Sequence, residues 1–246
     1  VYLWVDPGNI VSGGLNGPFA YTTAKEADEI VLDIEGGDPA IFANPASQYG
    51  SEALGFAKGD GSFVHTSLDT ASQMTMASLA GNSRGYDTYV SFWFNVPQES
   101  YGTSFGHSLG GLYRSVPAVF AVSPNPAETL TDLDPAFLFN LSSSNAIELR
   151  IQKTASEDRL FFTTENNSFA VGEWVHVSVV IKDDPNLDRV VMFVNGCPAE
   201  MANTHTNGFT LGDFADTTKL DALLGNVNYR GENYGYRDQN LSLIHI

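Results

Sequence analysis

Ten short runs of β-branched and aromatic residues recur along this chain, each closed off by Gly, Asn, Asp, Ser or Pro. They read DEIVLDIEG, ALGFAKG, SFVHTSL, YDTYVSFWFNV, AFLFNL, AIELRIQK, DRLFFTTE, WVHVSVVIK, RVVMFVNG and ALLGNVNY. Runs of this length between turn residues are strands, and their number requires sheets packed on sheets. Helical periodicity is scarce. TTAKEADEI is the best case and TASQMTMASLAG a weaker one, and neither supplies the repeated crossover helices of a parallel sheet. The fold class expected is all-β, an antiparallel two-sheet jelly-roll sandwich.

Alternation assigns faces. In WVHVSVVI, Val175, Val177, Val179 and Ile181 share one face, and Trp174, His176, Ser178 and Val180 share the other. YVSFWFNV is apolar on both faces, as in a central strand between two layers. Residues 98–135, broken by Gly102, Gly106, Gly110, Gly111, Pro117, Pro124, Pro126 and Pro135, read as a long loop or insertion.

Charge narrows the partners. The chain carries 12 basic and 29 acidic residues, a net charge of -17, which argues against nucleic acid and anionic membrane. No apolar run is long enough to span a bilayer. The lone Cys197 excludes an internal disulfide framework, so stability must come from packing.

The string GHSLGG, Gly106 to Gly111, spells the nucleophile elbow of serine hydrolases around Ser108. An elbow needs a buried strand before the serine and a helix after it. Here QESYGTSF precedes it and Pro117 follows nine residues on, so Ser108 is expected to be a loop residue. Retaining glycosidase chemistry needs two carboxyl groups on one strand face. In EIVLDIEGG, Asp33 and Glu35 share a face, but Glu29 lies two residues too early and Val31 holds the position the nucleophile needs. No catalytic residues are assigned; a hydrolase remains an alternative, as does a structural subunit of an extracellular assembly.

The segment GEWVHVSVVIKDDPNLDRVVMFVNGCPAE reads as a hairpin whose second strand ends at Asn195-Gly196, the dipeptide that best tolerates positive φ. Through Trp174, His176, Val177, Val180, Val194, Asn195 and Gly196 it resembles the signature of the laminin-G-like, concanavalin-A-like superfamily. YVSFWFNVP, AIELRIQK with RLFFTTE, and LDALLGNVN resemble its other strands. The resemblance implies a laminin-G-like jelly roll over residues 28–240, with 1–27 a linker or the tail of a preceding domain. The family's closing strand has no counterpart in the sequence. LSLIHI, residues 241–246, resembles a translated sequencing adapter, so the sandwich is expected to lack its last strand.

The resemblance also implies a non-catalytic recognition or adhesion module of a larger extracellular or surface protein. Its partner would be a glycan or glycoprotein, with self-association or a neighbouring domain as further possibilities. A sugar site needs rings beside amide and charged groups, and NVNYRGENYGYRDQN supplies Tyr229, Arg230, Asn233, Tyr234 and Tyr236. Calcium needs hard oxygen donors in loops, and GDFAD offers Asp213 and Asp216. His176 is expected to be a strand residue with a satisfied ring.

Overall fold

The computed structural model describes residues 4–5, 20–22, 28–30, 32–35, 40–43, 52–56, 63–66, 87–96, 118–123, 136–141, 144–152, 159–182, 190–205, 221–225, 228–229, 232–233 and 239–245. Within these the chain is built of strands, in antiparallel pairs. In chain order they are β1 (Trp4–Val5), β2 (Ala20–Thr22), β3 (Asp28–Ile30), β4 (Leu32–Glu35), β5 (Ala40–Ala43), β6 (Glu52–Phe56) and β7 (Phe63–Thr66). Next come β8 (Thr88–Asn95), β9 (Ala118–Ser123), β10 (Ala136–Leu141), β11 (Ile147–Gln152), β12 (Arg159–Thr164), β13 (Trp174–Ile181) and β14 (Val190–Val194). The series ends with β15 (Cys197–Pro198), β16 (Met201–His205), β17 (Asp221–Gly225), β18 (Asn228–Tyr229), β19 (Glu232–Asn233) and β20 (Gln239–His245).

One sheet runs β15-β14-β13-β8-β20-β1-β2-β3, with β6 also beside β20 and β5 beside β6; the other runs β16-β12-β11-β10-β9-β17-β7-β4. Each presents one apolar face to the other. Val90, Phe92, Phe94, Val175, Val177, Val179 and Ile181 on the first sheet are at most 2% exposed, and Phe139, Leu149, Ile151, Leu160 and Phe162 on the second at most 1%. The Phe92 ring meets the Phe139 ring edge-on at 5.1 Å between centroids, which joins the two faces in one core. This is the antiparallel two-sheet sandwich expected from the strand rhythm, and the β13 alternation falls as the sequence indicates.

Several segments differ from their sequence reading. Of TTAKEADEI, read as the best helical stretch, Thr22 belongs to β2 and Asp28–Ile30 form β3, which pair with Ala20 opposite Ile30 and Thr22 opposite Asp28; residues 23–27 lie outside the described residues. β1 and β2 fall inside the segment expected as linker or tail. β9 falls inside the stretch read as a 98–135 loop and pairs with β10 and β17. The place expected to stand empty for a closing strand is taken by β20, which pairs with β8, β6 and β1. The unpaired N–H and C=O groups along the β8 edge are a template for any extended segment, and LSLI is aliphatic enough to fill it.

One end of the sandwich is held by short polar connections. Thr164, 0% exposed, accepts a hydrogen bond from Ile147 N–H at 2.9 Å, and its Oγ1 lies 2.8 Å from Ser168 Oγ. Ser168 Oγ donates to the Asn145 carbonyl at 3.1 Å, and the Ser168 and Asn167 backbone N–H groups donate to Asn145 and Ser144. Asn145 and Asn167 adopt positive φ, 56° and 59°, a conformation asparagine tolerates better than most residues. Phe169 then packs edge-on against Phe94 at 5.0 Å, and Gly172 N–H donates to the Val96 carbonyl at 2.7 Å. These contacts deliver the start of β13 to the end of β8 and set their register.

Candidate functional site

The outer face of the first sheet, turned away from the core, carries rings and hydrogen-bonding groups on the two strands so aligned. In β8 the core takes Val90, Phe92 and Phe94, so alternation sends Tyr89, Ser91, Trp93 and Asn95 outward. In β13 the outward residues are Trp174, His176, Ser178 and Val180. Pairing sets Trp174 opposite Asn95, His176 opposite Trp93, Ser178 opposite Ser91 and Val180 opposite Tyr89. β14 extends two of these rows, with Phe193 beside Ser178 and Val191 beside Val180. Trp93, Trp174 and His176 are half-buried, and Tyr89 is 43% exposed.

His176 is the centre of this face. Its ring lies 4.9 Å from the Trp93 ring, tilted by 39°, and its Nε2 shares a hydrogen bond with Ser91 Oγ at 2.7 Å, the donor set by the tautomer. Its backbone N–H donates to Asn195 Oδ1 and its carbonyl accepts from Asn195 N–H, both at 2.8 Å. Burial pushes the imidazole pKa below its ordinary value of 6.5, so the ring is neutral at neutral pH. The sequence expectation of a satisfied strand histidine is met. Orphaning either partner of a part-buried pair like this costs about 1 kcal/mol, the low end for an orphaned group.

The Asn195-Gly196 turn that carries this contact is the tight reversal its dipeptide predicts. Val194 pairs with Cys197 across it, and Asn195 and Gly196 have φ of 50° and 80°. Two positive φ values are what the mirror-image two-residue turn requires.

Of the residues chosen from sequence, Tyr229 and Asn233 lie on β18 and β19, a small hairpin in which Asn228 faces Asn233 and Tyr229 faces Glu232. Arg230, Tyr234, Tyr236, Asp213, Asp216 and Ser108 lie outside the described residues. Glu29 sits on β3 of the first sheet, and Asp33 and Glu35 on β4 of the second, so the acids weighed for glycosidase chemistry do not share one strand. Among the described residues no three His, Cys, Asp or Glu side chains gather to hold a metal ion, and no helix is long and apolar enough to cross a membrane.

No family model matches the chain, and no curated protein matches it in sequence. Solved structures do show a likeness. The CBM40 domain of a Ruminococcus gnavus IT-sialidase, bound to α2,3-sialyllactose, is 10% identical over 87% of this chain and 90% of that one, with a TM-score of 0.46. The binding domain of botulinum neurotoxin DC in complex with SialylT is 10% identical over 87% of this chain and 42% of that one, TM-score 0.44. A leech intramolecular trans-sialidase is 16% identical over 65% of this chain, TM-score 0.41, and the match spans 21% of the trans-sialidase. At these scores the functional reading rests on this chain's own residues.

Proposed function

We propose that the chain is a non-catalytic recognition module of the laminin-G-like kind, part of a larger extracellular or surface protein, and that it binds a glycan or the glycan of a glycoprotein. The binding face is the outer side of β8 and β13. One observation carries the reading: half-buried Trp93 lies against His176, with exposed Tyr89 and half-buried Trp174 on either side and the buried Ser91, Asn95 and Ser178 between. A pyranose offers C–H groups to a ring face, and the accessible parts of Tyr89, Trp93 and Trp174 supply such ring surface around the half-buried His176 imidazole, while Ser91, Asn95 and Ser178 are buried and brace the rings. Binding of this sort moves no proton and breaks no bond.

The Tyr229–Tyr236 stretch is proposed as a second contact region, and Asp213 with Asp216 as calcium ligands; a glycan array run with and without calcium tests both. For the principal face, affinity electrophoresis of the parent chain and of W93A in immobilised polysaccharides is decisive. Stacked rings are typical energetic centres of an interface, so W93A should weaken binding at least about tenfold. Retained binding in folded W93A would remove this face from the function.

A further inference from the structure

The proposed face differs from the rest of the molecule in charge. The chain carries a net charge of -17, yet the outer rows of β8, β13 and β14 are built of aromatic, aliphatic, hydroxyl and amide residues around one imidazole. β20 places Asn240, Ser242 and His245 at the register positions beside Asn95, Trp93 and Ser91. The described charged residues adjoining these rows stand where the strands run out. Asp87 precedes Thr88 and Lys182 follows Ile181, next to one another at one end, and Glu173 precedes Trp174 at the other; all three are exposed. Arg150, 5% exposed, belongs to the second sheet, across the core, where its guanidinium lies 5.5 Å from the Phe161 ring centre.

An anionic sugar approaching such a protein is repelled over a Debye length, about 8–10 Å at ordinary salt. Among the described residues it meets no guanidinium or ammonium set beside Trp93 and His176 for the charge-assisted contact that repays desolvating a carboxylate or sulfate. A neutral sugar suffers neither penalty, and the accessible ring surface of Tyr89, Trp93 and Trp174 is what its C–H groups need.

We propose that this face selects uncharged glycans and discriminates against sialylated, uronate-bearing or sulfated ones. The proposal rests on the recognition reading above and names its ligand class. It differs from the sialyllactose carried by one of the structural neighbours.

The test measures binding of the intact chain to laminarin and mannan as neutral probes and to sialyllactose, alginate and heparin as anionic ones, at low and at several-fold higher salt. W93A and Y89S run alongside, with circular dichroism as the check on folding; Y89S alters an exposed position and keeps the test standing if W93A does not fold. The expected result is binding to a neutral polysaccharide that changes less than about twofold with salt and falls at least about tenfold in W93A or severalfold in Y89S. Preferential binding of an anionic probe, lost in the same variants, would overturn the neutral-ligand inference and leave the recognition reading intact. Binding to none of the five probes would overturn this inference, and absence of binding across a full glycan array would retire the recognition reading as well.

Discussion

Replacing Thr164 by valine keeps the volume of the side chain and removes one oxygen from the interior. Thr164 is fully buried, and its Oγ1 accepts from Ile147 N–H at 2.9 Å and lies 2.8 Å from Ser168 Oγ, which donates to the Asn145 carbonyl. With the Thr164 hydroxyl donating to Ser168, every proton in the relay points the same way and every donor has an acceptor. Valine cuts it at the first step. Ile147, itself 0% exposed, loses the acceptor for its N–H, whereas Ser168 keeps its bond to Asn145. An orphaned buried donor costs about 1–3 kcal/mol, so T164V should be about 2 kcal/mol less stable than the parent. T164S keeps the hydroxyl and loses a methyl group, at about 1 kcal/mol. Hydrophobic burial alone ranks the two variants the other way. Urea titration followed by tryptophan fluorescence should show the midpoint shift at unchanged slope. At about 2–4 °C per kcal/mol for a chain of this size, T164V should melt about 4–8 °C lower. A T164V protein more stable than T164S would refute the relay as a stabilising element.

The face-to-face packing of the sheets is tested by a double-mutant cycle on Phe92 and Phe139. F92L and F139L should show a coupling of about 0.5–1.5 kcal/mol, and a value below about 0.3 would mean that the rings do not meet. His176 titrates below its ordinary 6.5 in the fold, so the unfolded chain binds more protons as the pH falls, and stability should be lost from about 6.5 downward through the folded pKa. Urea midpoints of the parent and H176Q between roughly pH 5 and 8 should diverge in that direction, and parallel curves would contradict it. At Gly196, φ is 80° and an added Cβ meets nothing within 4 Å, so G196A should cost about 1–2 kcal/mol from backbone strain alone. An unchanged urea midpoint would contradict the positive-φ turn.

Much of the framework was legible because it is written locally. Strand runs closed by turn residues, the period-two alternation of WVHVSVVI and the Asn-Gly reversal each depend on a few neighbouring residues. What the local pattern hid was of two kinds. AVFAVS is a strand by composition, but Pro117 and Pro124 at its borders made residues 98–135 read as one loop. MANTH, AIFA and the strands before residue 27 are too short or too mixed to announce themselves, and they form because an existing ladder offers them partners. The candidate site was hidden for a stronger reason. Ser91 and His176 are 85 residues apart, and only the β8–β13 register brings them to 2.7 Å. YVSFWFNV reads as apolar throughout until pairing shows that Ser91, Trp93 and Asn95 form a face of their own.

That face cannot be dismissed as a by-product of the core. Alternation obliges every second residue of β8 and β13 to be apolar and leaves the others free; a row wholly in solvent would be satisfied by Thr, Lys or Glu, and here Ser91, Asn95 and Ser178 are buried with the rings beside them partly open. Instead these positions hold two tryptophans, an exposed tyrosine and a histidine locked to a serine. A tryptophan enclosed on all sides covers about 150–250 Å² of apolar surface, and each 40 Å² left in water forgoes about 1 kcal/mol at 25 cal/mol per Å². Trp93, Trp174 and Tyr89 each leave part of that stabilisation unused. The His176 contacts with Ser91, Trp93 and Asn195 meanwhile hold the centre of the face in one arrangement, so a ligand finds its rings already oriented and spends little free energy ordering them. A ligand that covers the exposed parts of those rings recovers what folding left behind, and for that reason binding, if measured, should fall with Trp93 more steeply than with any hydroxyl on the same face.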